Sequence, residues 1–184
     1  MMKTFIALFR GINVGGNAVL PMKDLVGILE AFDLQDVRTY IQSGNVVFRS
    51  TEEDPSRISS RISAEIRNRF GFEPQVLLME STEMKKALEA NPFPEAESEP
   101  KTLHLSFLSA LPENPDLQGL ENLRKDSERF ALKGVVFYLH APEGIGRSKL
   151  AANIEKLLGV PSTSRNWRTV TSIMALARGS GSAG

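Results

Sequence analysis

The stretch Val37-Arg38-Thr39-Tyr40-Ile41-Gln42-Ser43-Gly44-Asn45-Val46-Val47-Phe48-Arg49 decides the fold. Two runs rich in β-branched and aromatic side chains, residues 37–42 and 46–49, flank Ser43-Gly44-Asn45, and that punctuation folds a chain back on itself as a β-hairpin. Toward the C-terminus, Asp54-Pro55 sets a capping carboxylate before a proline at the first helical position. Ile58, Ile62 and Ile66 follow at helical spacing and predict one apolar face, after which residues 75–79 return as a strand. Toward the N-terminus, Met22, Leu25, Val26 and Leu29 mark an earlier helix. Before it lie the glycine-rich segment 11–20 and a short apolar strand over residues 4–10. The order is β-α-β-β-α-β.

The same order begins again further on. A linking helix over residues 82–90 ends at Asn91-Pro92, and the segment to Pro100 is rich in proline and glutamate. A strand over 102–108 then leads to a helix capped by Asn114-Pro115 and carrying Leu117, Leu120 and Leu123. A hairpin pivots on Lys133-Gly134 between residues 129–132 and 135–140. The next helix has Leu150, Ile154, Leu157 and Leu158 on one face and stops at Gly159. Residues 162–165 read as the last strand, and Val170, Ile173 and Met174 lie on a final helix. The expected architecture is α+β, with two tandem ferredoxin-like (β-α-β-β-α-β) subdomains whose antiparallel sheets pack helices on one face. The boundaries are 1–80 for the first subdomain and 81–100 for the linking helix and loop. Residues 101–178 form the second subdomain with the C-terminal helix, and 179–184 a disordered tail.

Composition narrows the function. The chain has 184 residues with 22 basic and 22 acidic side chains, two histidines and no cysteine. A net charge of zero argues against coating nucleic acid or anionic membrane through bulk electrostatics. The absence of cysteine excludes disulfides, thiolate metal sites and a cysteine nucleophile. The neutrality is uneven, because residues 80–130 hold eleven acidic against six basic side chains and residues 142–184 six basic against two acidic. The apolar run at the N-terminus, residues 5–9, is too short for a membrane span or a signal-peptide core, so a cytoplasmic location without membrane contact is expected.

Four segments carry a family resemblance. Arg10-Gly11-Ile12-Asn13-Val14-Gly15-Gly16, Tyr40-Ile41-Gln42-Ser43-Gly44-Asn45-Val46-Val47-Phe48, Gly144-Ile145-Gly146-Arg147-Ser148-Lys149-Leu150 and Thr163-Ser164-Arg165-Asn166-Trp167-Arg168-Thr169-Val170 occur in that order across nearly the whole chain. Together they resemble the bacterial domain of unknown function 1697 family (DUF1697). The resemblance implies a duplicated ferredoxin-like α+β fold in a cytoplasmic protein. It supplies no activity and hence no catalytic residue.

The same segments hold the candidate ligand residues. In loop 10–17, Gly11, Gly15 and Gly16 allow backbone N–H groups to converge while Arg10, Asn13 and Asn17 add donors, a composition suited to an anion at a helix N-terminus. Its spacing is neither a P-loop nor a dinucleotide fingerprint. The alternative is that the glycines only permit positive φ in a tight crossover. Gln42, Ser43 and Asn45 at the hairpin tip are polar, and turn chemistry also accounts for them. Gly146, Arg147, Ser148 and Lys149 lead into a helix whose first turn holds two cations, which oppose the macrodipole and suit an anionic partner. Otherwise Ser148 is a plain cap and both charges are solvated. Arg165, Asn166 and Trp167 join the set, since tryptophan beside arginine can stack a base and hold its phosphate. The alternative for Trp167 is core packing under arginine stems.

Catalytic groups are sparse. His104 lies within a strand, where a buried, hydrogen-bonded structural role is favoured, and His140 at a strand end is the better acid/base candidate. No metal spacing and no cofactor motif is present. The leading expectation is non-enzymatic binding of a phosphate-bearing ligand, RNA or nucleotide-like, through the glycine-rich loops and arginines. Phe5, Phe9 and Phe48 are the candidate RNA platform, although they read more simply as core. The alternatives are a small-molecule enzyme with His140 as acid/base and Arg10, Arg147 and Arg165 as anion clamps, or a protein-interaction module. The sequence leaves the oligomeric state open.

Overall fold

A computed structural model of the protein describes residues 1–41 and 44–179. The elements of the first half are β1 (Lys3–Arg10), α1 (Met22–Glu30), β2 (Gln35–Tyr40), β3 (Asn45–Ser50), α2 (Pro55–Phe70) and β4 (Gln75–Glu80). Its four strands form one antiparallel sheet in the order β2-β3-β1-β4. After α3 (Ser81–Glu89) and a 3-10 turn (Pro94–Ser98) come β5 (Leu103–Leu108), α4 (Leu117–Leu123), β6 (Arg129–Lys133), β7 (Val136–His140), α5 (Lys149–Ala152), α6 (Ile154–Leu158), β8 (Ser162–Asn166) and α7 (Trp167–Gly179). The second antiparallel sheet has the matching order β6-β7-β5-β8. The protein is therefore a mixed α+β fold with two four-stranded antiparallel sheets.

Contacts divide the chain into two compact units. Unit 1 is Met1–Lys86 with the segment from Ser172 onward, and unit 2 is Ala87–Thr171. The division runs through α3 and α7. Where the sequence suggested that 101–178 stays together, the second half of α7 groups with the first unit. There Ile173, Met174 and Ala177 recur at helical spacing and are buried. Gly179, expected to open a tail, closes α7, while residues 180–184 lie outside the described residues.

The core of unit 1 follows from two periodicities. Alternate residues Phe5, Ala7 and Phe9 of β1 and Val46 and Phe48 of β3 form one cluster with Leu25, Ile28 and Leu29 of α1 and Ile58, Ile62 and Ile66 of α2. The Phe5 and Phe48 rings stack at 5.9 Å. On α1 the expected Val26 is only half-buried, because the i+3 and i+4 neighbours of Leu25 are Ile28 and Leu29. Ile6 and Leu8, on the opposite face of β1, are fully buried too. That double burial explains why the strand reads as an unbroken apolar run. The Asp54 carboxylate caps α2 by accepting from the Ser56 amide at 2.9 Å.

In unit 2 the cluster is Leu108, Leu120, Phe137, Leu139, Ala141, Leu150, Ile154 and Leu158. Two local expectations are corrected. The cap of α4 is Asp116, which accepts from the Gly119 amide, rather than Asn114-Pro115. The single helix expected over Leu150, Ile154, Leu157 and Leu158 is two short ones, α5 and α6, joined at Asn153. The Asn153 side chain donates to the Lys149 carbonyl and competes with a continuous helix. Gly159 ends α6 in the left-handed region, φ 74°, as expected.

Candidate functional site

Unit 1 brings two of the candidate segments together. β1 and β3 are antiparallel neighbours, so the chain leaving β1 passes the tip of the β2–β3 hairpin. There the Phe9 amide donates to the Gly44 carbonyl at 2.8 Å. Gly44 has φ +82°, and a Cβ on it would stand 2.6 Å from the Phe9 Cβ and 2.8 Å from the Ile12 Cδ1. Only glycine allows this approach. Asn45 is fully buried and donates to the Tyr40 carbonyl, so its amide serves the hairpin. Gln42 and Ser43 lie outside the described residues.

The loop after β1 differs from the expected helix-terminal anion cradle. Val14 and Asn17 bridge around Gly15 and Gly16, at φ 61° and 75°, and two positive φ angles in succession make a primed hairpin turn. The helix that follows begins only at Met22, with Pro21 at its cap position, so the glycines lie away from its N-terminus. Asn13 turns inward. Its side chain donates to the Leu20 carbonyl at 2.8 Å and accepts from the Leu20 amide at 2.7 Å, closing the loop. Positive φ is concentrated here, at Gly11, Asn13, Gly15, Gly16, Ala18, Ile41 and Gly44. For a β-branched residue such as Ile41 this conformation is strained. Gly11, Gly15 and Gly16 are exposed, and among the described residues their amides donate to no other group. Arg10 is exposed beside them, its guanidinium 3.4 Å from Gln75 Oε1. Phe5, Phe9 and Phe48 are core, so the candidate RNA platform is corrected: they present no face to a base.

Unit 2 holds the other candidates. Ser148 caps α5 by accepting from the Ala151 amide at 3.1 Å. Gly146 and Arg147 lie before that cap, so the first turn contains Lys149 and not Arg147. Both cations are exposed, and α5 has four residues, too few for the macrodipole argument that suggested an anion. Arg165 is half-buried on β8 and donates to the Ser164 carbonyl, and burial lowers its pKa to about 10. Asn166 caps α7 by accepting from the Thr169 amide at 2.9 Å. Trp167 is buried, which corrects the base-stacking reading in favour of core packing.

The two histidines differ in which nitrogen holds a lone pair. His140 Nδ1 lies 3.0 Å from an Arg129 guanidinium nitrogen. Arginine only donates, so Nδ1 accepts and the ring proton sits on Nε2. Burial first and the Arg129 charge second lower the His140 pKa. Arg129 also pairs with Glu95 and lies over the Phe93 ring, 4.7 Å from its centroid. The lone pair that an acid/base role needs is thus already engaged. His104 has the opposite arrangement. One ring nitrogen bonds the Lys101 backbone, while Nε2 is buried with no partner among the described residues, and burial lowers its pKa. Sequence reasoning missed the group around His140, because Arg129 meets it through the β6–β7 register and Phe93 and Glu95 come from the distant 3-10 turn. It also missed the free lone pair on His104, which no local pattern announces. Among the described residues, no helix is long and apolar enough to cross a membrane.

Residues 2–138 match the family described as "Protein of unknown function (DUF1697)". No curated protein matches the chain. Among solved structures the chain is similar to the conserved bacterial protein SP0830 from Streptococcus pneumoniae, at 24% identity and a TM-score of 0.72. That likeness spans 96% of this chain and 99% of the other, and it is a likeness of fold.

Proposed function

The chain belongs to the DUF1697 family of proteins of unknown function, and from that premise we propose that it binds a small phosphate-bearing, nucleotide-like ligand at the loop end of the first sheet and is not an enzyme. One observation supports the reading, the close approach of Ile12 in loop 11–20 to Gly44 of the β2–β3 hairpin, beside the bond from the Phe9 amide of β1 to the Gly44 carbonyl. The exposed amides of Gly11, Gly15 and Gly16 follow Arg10 in the same loop, and backbone N–H groups with a guanidinium are what a phosphate selects. The same loops expose Val14, Val19 and Ile41, an apolar surface suited to a heterocycle. RNA is less favoured, since Phe5, Phe9, Phe48 and Trp167 are buried. As part of the same reading, the two sheets are tandem ferredoxin-like subdomains, supported by their shared β-α-β-β-α-β order and matching strand orders. The protein is read as cytoplasmic.

The test is calorimetric titration with adenosine monophosphate and with adenosine. The monophosphate is expected to bind more tightly, and Arg10→Ala to weaken it about tenfold while leaving adenosine unchanged. Equal affinity for the two compounds, or no loss in Arg10→Ala, overturns the phosphate assignment. An oligonucleotide that binds instead, with an affinity falling steeply in salt, would return the RNA reading.

A further inference from the structure

In unit 2 the segment that joins β5 to α4 runs beside the end of α6. Two backbone bonds tie them together. The Ser109 amide donates to the Pro161 carbonyl at 3.0 Å, and the Asp116 amide to the Leu157 carbonyl at 2.8 Å. The same two stretches line a cavity of about 390 Å³, with Leu111, Glu113 and Asn114 on one side and Leu158, Gly159 and Val160 on the other. A volume of that order is usual for a small-molecule site.

Three side chains of this lining are left unused by the fold. An asparagine in a turn ordinarily accepts from the backbone amide two residues on. Here the Asp116 amide is taken by Leu157 and the Asp116 carboxylate caps α4, so Asn114 makes no hydrogen bond among the described residues. Glu113 has neither a hydrogen bond nor an ion pair among them, and Leu111 is 66% exposed. The surrounding charge has one sign, since residues 102–123 contain Glu113, Asp116 and Glu121 but no lysine or arginine. Asp116 is engaged by the Gly119 amide and Glu121 by Arg124. On the facing stretch Glu155 accepts from the Ser162 amide, and Lys156 forms no ion pair among the described residues. Glu113 is therefore the charged side chain of the lining, and it has no counter-ion.

We propose that this cavity binds a small primary aliphatic amine, its ammonium donating to the Glu113 carboxylate and the Asn114 side-chain carbonyl and its carbon chain lying along Leu111, Leu158 and Val160. An ammonium has three donors and no acceptor, which matches two oxygen acceptors and leaves one donor for water. The charge answers Glu113, and the chain takes the exposed Leu111 out of water. An anion would be repelled by the same carboxylate, and a neutral alcohol brings one donor and no charge. The site lies within unit 2 and stands or falls independently of the phosphate site in unit 1.

The test is an NMR titration of the full chain at neutral pH with hexylamine and with hexanol, which share a carbon chain and differ in charge. Hexylamine is expected to bind about tenfold more tightly, since a charge-assisted hydrogen bond is roughly twice as strong as a neutral one. Both compounds should shift the Leu111 and Leu158 methyl resonances, and only the amine should shift the Glu113 carboxylate carbon. Glu113→Gln keeps the shape of the side chain and should abolish the preference. Glu121→Gln, an acid outside the lining, should leave it unchanged. Asn114→Ala should weaken the amine about threefold, and Leu111→Ala should weaken both compounds by the same factor. All four substituted side chains are exposed, so the variants should fold. Equal affinity of the two compounds, no binding of either at millimolar concentration, a preference that survives Glu113→Gln, or amine shifts spread over the acidic side chains with Leu158 unmoved overturns the proposal.

Discussion

The two sheets share a hydrogen-bonding frame and differ in what they hang on it. The Phe9 amide donates to the Gly44 carbonyl in unit 1, and the Leu108 amide to the Val135 carbonyl in unit 2, both at 2.8 Å. Aligned on those bonds, Phe5, Ala7 and Phe9 correspond to His104, Ser106 and Leu108. Val76, Leu78 and Glu80 correspond to Ser162, Ser164 and Asn166. Unit 1 covers its row with the 16-residue α2, whereas unit 2 has in the same place the four- and five-residue α5 and α6. A long helix demands an apolar floor, and a short one leaves room for a polar strip.

The largest effect expected from breaking this comparison is in the apolar row. Phe48→Ala removes a buried ring stacked on Phe5 and should destabilise unit 1 by about 3–5 kcal/mol in urea titrations. Ser106→Ala makes unit 2 resemble unit 1 at the position of Ala7. It loses one hydroxyl pair and should cost about 1 kcal/mol. Similar losses for the two variants would mean that the polar strip is as tightly committed to stability as the apolar one.

The hairpin tips come next. Gly44→Ala combines a left-handed φ with contacts of 2.6 and 2.8 Å to Phe9 and Ile12, and should cost about 2–4 kcal/mol. Gly134, at φ +59°, has open space around it, so Gly134→Ala should cost only about 1 kcal/mol. Equal losses would show that φ alone matters and that the close approach of Gly44 to the loop is relaxed away.

How much of this was legible depends on which physics is local. The Asp54-Pro55 cap, the Ile58, Ile62 and Ile66 stripe and the Gly159 stop are decided within a turn or two, and they stand where the sequence put them. The turn glycines were legible as glycines but not in purpose. Gly15 and Gly16 close a tight turn several residues before a helix, and only a count of the intervening residues against loop geometry separates that from an anion cradle. The break at Asn153 escaped because Leu150, Ile154, Leu157 and Leu158 keep helical spacing across it. Arg129 against His140 and the Ser106–Ser164 pair are matters of strand register, and spacing along one strand says nothing about its partner.

The smallest expected effect is a slope. Burial lowers the pKa of both histidines below the ordinary value near 6.5, and both belong to unit 2. Between the folded pKa and 6.5 the unfolded chain binds more protons than the folded one, so stability rises with pH across that window. It is complete above about pH 6.5 and is lost as the solution is acidified toward the folded pKa. Trp167, the single tryptophan, sits in unit 2 and reports its unfolding by fluorescence. Urea midpoints followed at Trp167 should therefore fall on acidification below pH 6.5, and His104→Leu should flatten part of the fall. His140→Gln should flatten the remainder, because removing the imidazole also removes the proton that Arg129 would repel. Unit 1 holds no histidine, so amide exchange at Phe48 should stay level over the same range after correction for intrinsic rates. A slope that survives both substitutions would place the titrating group elsewhere and remove His104 as the distinguishing feature of the second sheet.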